Sequence, residues 1–103
     1  MTDWGAPASP VLQGVQDELQ RLGERWQTLP LTQALRHAGG IHTFVQALAD
    51  RIAQASATPP PAVPDLGPAV VIDQLRVLVY DACAAGLGDG LEEALAGLRR
   101  SLP

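Results

Sequence analysis

Helical periodicity is the feature of this sequence that most constrains its fold. Apolar side chains recur every three or four residues in four separate stretches, which places each set along one face of an α-helix. The four sets are Leu12, Val15, Leu19, Leu22 and Trp26; Ile41, Phe44, Val45, Leu48 and Ile52; Val71, Leu75, Leu78, Val79 and Ala82; and Leu91, Leu95, Leu98 and Leu102. Because each stripe needs a neighbour to cover it, the pattern predicts an all-α fold, a small four-helix bundle.

Prolines and capping residues suggest the bounds of the first helix. Ser9 can accept a hydrogen bond from a free backbone N–H, and Pro10 loses no hydrogen bond at the first helical position. Pro30 disfavours helical geometry in the residue before it. These signals predict a helix over about 10–28.

Gly39 and Gly40 interrupt the next apolar stretch. Glycine readily adopts the left-handed conformation that ends helices, so the pair predicts a break in the chain direction. We therefore expect a short extra helical turn over about 31–38 and a separate amphipathic helix over about 41–55.

The second half of the chain is divided by prolines and glycines. Residues 56–67 are too rich in proline for a helix or a central strand, and predict a stiff connector. Helices are expected over about 68–86 and 90–101. The second of these would be capped by Asp89, with Glu92 completing a capping box.

Length and composition indicate one globular domain. The chain has 103 residues, of which 47% are hydrophobic and 17% charged, enough apolar surface to bury one modest core. Residues 1–8 have no helical periodicity and predict a flexible N-terminal arm. We expect 9–103 to form a single helical domain.

The charge balance and the single cysteine narrow the functional classes. A net charge of −4 disfavours a protein that binds nucleic acid mainly by neutralising phosphates. One cysteine excludes an internal disulfide and a multi-cysteine metal cage. No stretch approaches the roughly 20 apolar residues that span a bilayer, and the first ten residues lack the pattern of a secretory signal. A cytoplasmic protein is expected, with no membrane partner.

The residues most able to carry chemistry do not form a catalytic pattern. His37 and His42 lack the spacing of two metal ligands on one helix, and Cys83 lies among alanines, where a free cysteine usually packs as a small apolar side chain. The sequence therefore predicts no enzyme, no cofactor and no metal site. An enzyme of unrecognised type that uses His37, His42 or Cys83 is the third hypothesis.

Residues 31–52 offer an alternative function. Two helices joined by a glycine turn would resemble the layout of a helix-turn-helix DNA reader. Its second helix would present His42, Thr43, Gln46, Asp50 and Arg51 to the groove. A small DNA-binding regulator is therefore the alternative hypothesis.

The third helix carries apolar residues outside its main stripe. Val70 and Val77 are seven residues apart, so they lie nearly in line on the helix surface, with Tyr80 close by. Either the chain itself covers this second strip, for example by folding back Trp4, or the strip marks a partner interface. The leading hypothesis is a non-catalytic module for protein–protein interaction or self-association, with Val70, Val77, Tyr80 and Trp4 as interface residues and another protein or a second copy as partner.

Overall fold

Four helices make up the described part of the molecule. The computed structural model describes residues 11–103, in which no strand is found. The helices are α1 (Gln13–Thr28), α2 (Leu31–Ala55), α3 (Pro68–Ala84) and α4 (Leu91–Ser101). The predicted all-α four-helix bundle is confirmed. The proposed arm at 1–8, Trp4 and the predicted cap at Ser9–Pro10 lie outside the described residues.

Helix α1 starts later than predicted. Leu12 has extended backbone angles and serves as the N-cap of a helix that begins at Gln13. Leu12 is consequently 66% exposed and takes no part in the buried stripe. The other end agrees with expectation, because α1 ends at Thr28 and Leu29 is extended, as a residue preceding proline should be.

The predicted break at Gly39–Gly40 is wrong, because α2 continues through both glycines. Ala34, Ile41 and Val45 are all buried, and with Ala38, which packs against the same core, they form one stripe in phase across the glycines. Two glycines inside a helix cost roughly 2 kcal/mol relative to alanine. The burial of this continuous stripe outweighs that cost, so 31–38 and 41–55 are parts of one helix.

The predicted cap of α4 is also wrong. Gly90, not Asp89, is the N-cap, and no side chain completes a capping box. Gly90 has a φ of +83°, a left-handed conformation that glycine adopts without a steric penalty. The turn therefore uses backbone geometry where the sequence suggested a side-chain hydrogen bond.

The segment between α2 and α3 runs back along α2. The ring Nε2 of His42 lies 2.8 Å from the Val63 carbonyl oxygen. Gln46 donates from Nε2 to the Pro61 carbonyl and accepts from the Val63 N–H through Oε1. Because residues 56–67 return toward the start of α2 before α3 begins, α2 and α3 run parallel.

The remaining helices are placed by contacts with α1. The indole N–H of Trp26 donates to the Pro68 carbonyl at 2.8 Å, which brings the end of α1 to the start of α3. Glu92 lies against Gly14, and Arg99 bonds Glu18. Helices α1 and α4 therefore run parallel to each other and antiparallel to the α2–α3 pair, and the core lies between the two pairs.

Candidate interaction surface on helix α3

The inner face of α3 belongs to the core. Five of its side chains are buried, namely Val71, Ile72, Leu75, Val79 and Ala82. They pack in one cluster with residues of the other three helices. This face is explained by the fold alone.

The outer face of α3 carries apolar side chains that the core does not use. Val77 is 57% exposed and Tyr80 is 52% exposed, while Val70 is partly buried and Ala84 is exposed. With a helical repeat of 3.6 residues, Val70, Val77 and Ala84 lie almost in line. We call Val70, Val77, Tyr80 and Ala84 the α3 strip.

Charged side chains border the α3 strip. The guanidinium of Arg76 donates from Nη1 to Oδ1 of Asp73 at 2.9 Å. Its Nη2 lies over Gly23 of α1. Asp81 lies on the opposite flank, where it lines a depression with Ala49 and Ile52 of α2. The strip thus has a basic residue on its α1 side and an acidic residue on its α2 side.

A second exposed apolar surface lies at the start of α2. Leu31 and Leu35 are 68% and 57% exposed, and their four-residue spacing places them on one side of the helix. Neither leucine was expected to form a surface, because residues 31–38 were predicted to be a separate helical turn. Leu35 directly follows Ala34 and so departs from the three-and-four spacing of the buried residues, which is the signal that would have identified it, whereas Leu31 keeps that spacing and is exposed as the first residue of α2.

One buried charge connects α1 and α4. Glu18 is 7% exposed and accepts hydrogen bonds from Arg99 at 2.9 and 3.4 Å and from Arg21 at 3.1 Å. The hydrogen bond from Arg99 is the main reason that the pKa of the Glu18 carboxyl lies below its usual value. This cluster joins two packed helices, and its charges are paired within the chain.

The side chains considered for chemistry are held apart by the fold. His37 faces a depression near the end of α4, whereas the ring of His42 contacts the Val63 carbonyl. Cys83 is partly buried near Gly88, and burial raises the pKa of its thiol. Across residues 11–103 no group of three or more His, Cys, Asp or Glu side chains is placed to hold a metal ion.

The helix-turn-helix interpretation of residues 31–52 is wrong at the structural level, since this stretch lies within one helix. Three of the side chains that were expected to face a DNA groove also form hydrogen bonds within the chain. His42 and Gln46 hold the 56–67 segment, and the Thr43 hydroxyl donates to the Gly39 carbonyl.

Neither a membrane span nor a similar protein indicates a function for the described part of the chain. Of the helices in 11–103, none is long and apolar enough to cross a membrane. No protein-family model, curated protein or solved structure matches the chain.

Proposed function

We propose that this chain is a non-catalytic helical module for protein–protein interaction that acts through the α3 strip, with a second copy of itself as the favoured partner. The observation that carries the proposal is the exposure of Val77 and Tyr80 on a helix whose opposite face already fills the core. Tyrosine is enriched among the residues that dominate binding energy at interfaces. A cytoplasmic location belongs to the same proposal, on the ground that a single cysteine suits a reducing compartment.

The charges around the strip support association with a protein rather than with nucleic acid. Asp73 lies within the strip, between Val77 and Tyr80 on the helix surface, Asp81 borders it, and Arg76 is the one basic residue of α3. A phosphate backbone would meet a surface with more negative than positive charge. A folded protein surface that offers apolar contacts and hydrogen-bond donors is the better match.

The experiment is sedimentation equilibrium of the full chain beside the variant Val77→Asp. A carboxylate in the centre of the strip removes apolar contact and places two like charges together, so we expect the dissociation constant to rise about 100-fold. Circular dichroism should show an unchanged helix content, because Val77 is exposed.

Leu35→Asp is the matched control, since Leu35 is an equally exposed apolar residue on another helix. It should leave the association unchanged. A wild-type chain that stays monomeric and binds no copy of itself would overturn self-association. An assembly broken by Leu35→Asp but not by Val77→Asp would move the interface to α2.

A further inference from the structure

Residues 1–10, which lie outside the described part of the chain, join the bundle near one end of the α3 strip. We call these residues the N-terminal segment. We propose that the N-terminal segment docks on the α3 strip of its own chain through Trp4, and that a second copy must displace it to bind. The inference rests on the proposed function and adds its regulation.

Contacts between α1 and α3 locate the point where the N-terminal segment joins the bundle. The indole of Trp26 bonds the Pro68 carbonyl, and Nη2 of Arg76 lies over Gly23. Because α1 and α3 are antiparallel, the start of α1 lies level with the end of α3. Val11 packs against the core there, so the N-terminal segment joins the bundle beside the carboxyl end of the α3 strip.

The N-terminal segment is long enough to reach the centre of the strip. Val11 lies twelve positions before Gly23, so about 17 Å separate it from Val77 along the helix axis, at 1.5 Å per residue. Neighbouring helices lie about 10 Å apart, which makes the direct distance roughly 20 Å. Trp4 lies seven positions before Val11, with two prolines in the segment. Seven residues in the extended geometry that proline favours span about 22 Å.

The α3 strip offers both kinds of contact that a tryptophan side chain makes. The exposed surfaces of Val77 and Tyr80 provide an apolar contact for the indole ring, and an aromatic pair gains more than the area it buries. Asp73 lies between these two side chains on the helix surface. Within the described chain Arg76 bonds Oδ1 of Asp73, and Oδ2 is left to accept the indole N–H.

Trp4 is the residue of the N-terminal segment that suits this surface. It is the one aromatic residue among the first ten, and apart from Met1 and two prolines the others are small or polar. Trp26 makes the corresponding pair of contacts inside the bundle, because its ring is buried and its N–H donates to a carbonyl oxygen. A docked Trp4 would bury apolar surface that residues 11–103 leave exposed.

Docking of Trp4 and binding of a second copy exclude each other, because both cover Val77 and Tyr80. A tethered segment has a high effective concentration at a site within its reach, so a weak contact is enough to occupy the strip. A second copy binds only chains whose strip is free, and the apparent affinity falls with the fraction of such chains. The N-terminal segment therefore opposes association at low protein concentration.

Fluorine NMR of the full chain labelled with 5-fluorotryptophan tests the docking at a concentration where the chain is monomeric. The chain has two tryptophans, and Trp4→Phe identifies the resonance of Trp4. This resonance should be protected from solvent in the wild type, as shown by a small shift between H2O and D2O. In Val77→Asp it should become solvent-exposed, whereas Leu35→Asp, on another helix, should leave it protected.

Three results of the fluorine experiment would overturn the docking. They are a Trp4 resonance that is already solvent-exposed in the wild type, one that stays protected in Val77→Asp, and one that becomes exposed in Leu35→Asp as well. The measurement does not depend on association, so it tests the site of Trp4 independently of the proposed function.

Sedimentation equilibrium of Trp4→Ala tests the competition. A free strip on both copies should lower the dissociation constant about tenfold, and Thr2→Ala, in the same segment, should leave it unchanged. Equal association of Trp4→Ala and wild type would overturn the competition, and weaker association would place Trp4 in the interface between copies. If both chains stay monomeric, the proposed function and the competition fail together, while the fluorine result separately decides whether Trp4 docks.

Discussion

The two faces of α3 carry similar side chains in opposite surroundings. Val79 is fully buried between the helices, whereas Val77, two positions away, is 57% exposed. Both are valines in one regular helix, so composition does not distinguish them. The contrast shows that the inner residue serves the packing of the four helices, while the outer residue is left exposed by the described residues 11–103.

The largest effect on stability should come from truncating Val79, with the same truncation of Val77 for comparison. Val79→Ala removes two buried methyl groups from a packed core and should lower the free energy of unfolding by about 2 kcal/mol. Val77→Ala should change it by no more than about 0.5 kcal/mol. Urea unfolding at low protein concentration, where association does not contribute, measures both. Equal losses for the two variants would contradict the division of α3 into an inner and an outer face.

Charged residues provide a second form of the same comparison. Glu18 is buried and bonded by Arg99, whereas Asp73 is exposed and bonded by Arg76. Glu18→Gln should therefore lower stability at pH 7 more than Asp73→Asn, because it leaves Arg99 without its charged partner.

The pH dependence of that difference follows from the pKa of Glu18, which is lowered in the folded chain chiefly by the hydrogen bond from Arg99. A lowered folded pKa contributes stability that is present above the unfolded pKa and is lost as pH falls through the folded pKa. Urea unfolding of wild type and Glu18→Gln should thus converge in acid. A gap that stays constant with pH would contradict the role assigned to the carboxylate.

The smallest effect concerns the outer side of α2. Gly39 and Gly40 are exposed helical residues with open space where a Cβ would lie. Gly39→Ala and Gly40→Ala should each stabilise the chain by up to about 1 kcal/mol, through higher helix propensity. Thermal unfolding measures the change, and a lower melting temperature for either variant would show that the glycines are needed for a bend.

Repeating side-chain patterns predicted where the helices lie, but they did not predict that residues 31–38 and 41–55 form one helix. The bounds near Thr28, Pro68 and Ser101 could be read from proline positions and apolar spacing, since both act locally. The continuity of α2 could not be predicted, because the two glycines locally favour a break. The apolar stripe that opposes the break includes Ala34 and Ala38, whose packing on the core is not evident from the sequence. Burial of the stripe in the folded chain outweighs the low helix propensity of the two glycines.

The candidate surface was partly predictable for the same reason. The seven-residue spacing of Val70 and Val77 indicated a second apolar strip, and the structure places Val77 and Tyr80 on the outer side of α3. The burial of Glu18 gave no such signal, since its partner Arg99 is 81 positions away. Leu35 was missed because its exposure depends on the continuity of α2.

The most direct measurement is an isotope-filtered NOE experiment on a mixture of ¹³C-labelled and unlabelled chains. It detects contacts only between copies, so it separates the outer face of α3 from the core. The account predicts contacts from the Val77 methyl groups of one copy to the Tyr80 ring of the other, and none from the methyl groups of Val79. The absence of intermolecular contacts from Val77 at concentrations where the chain associates would contradict it.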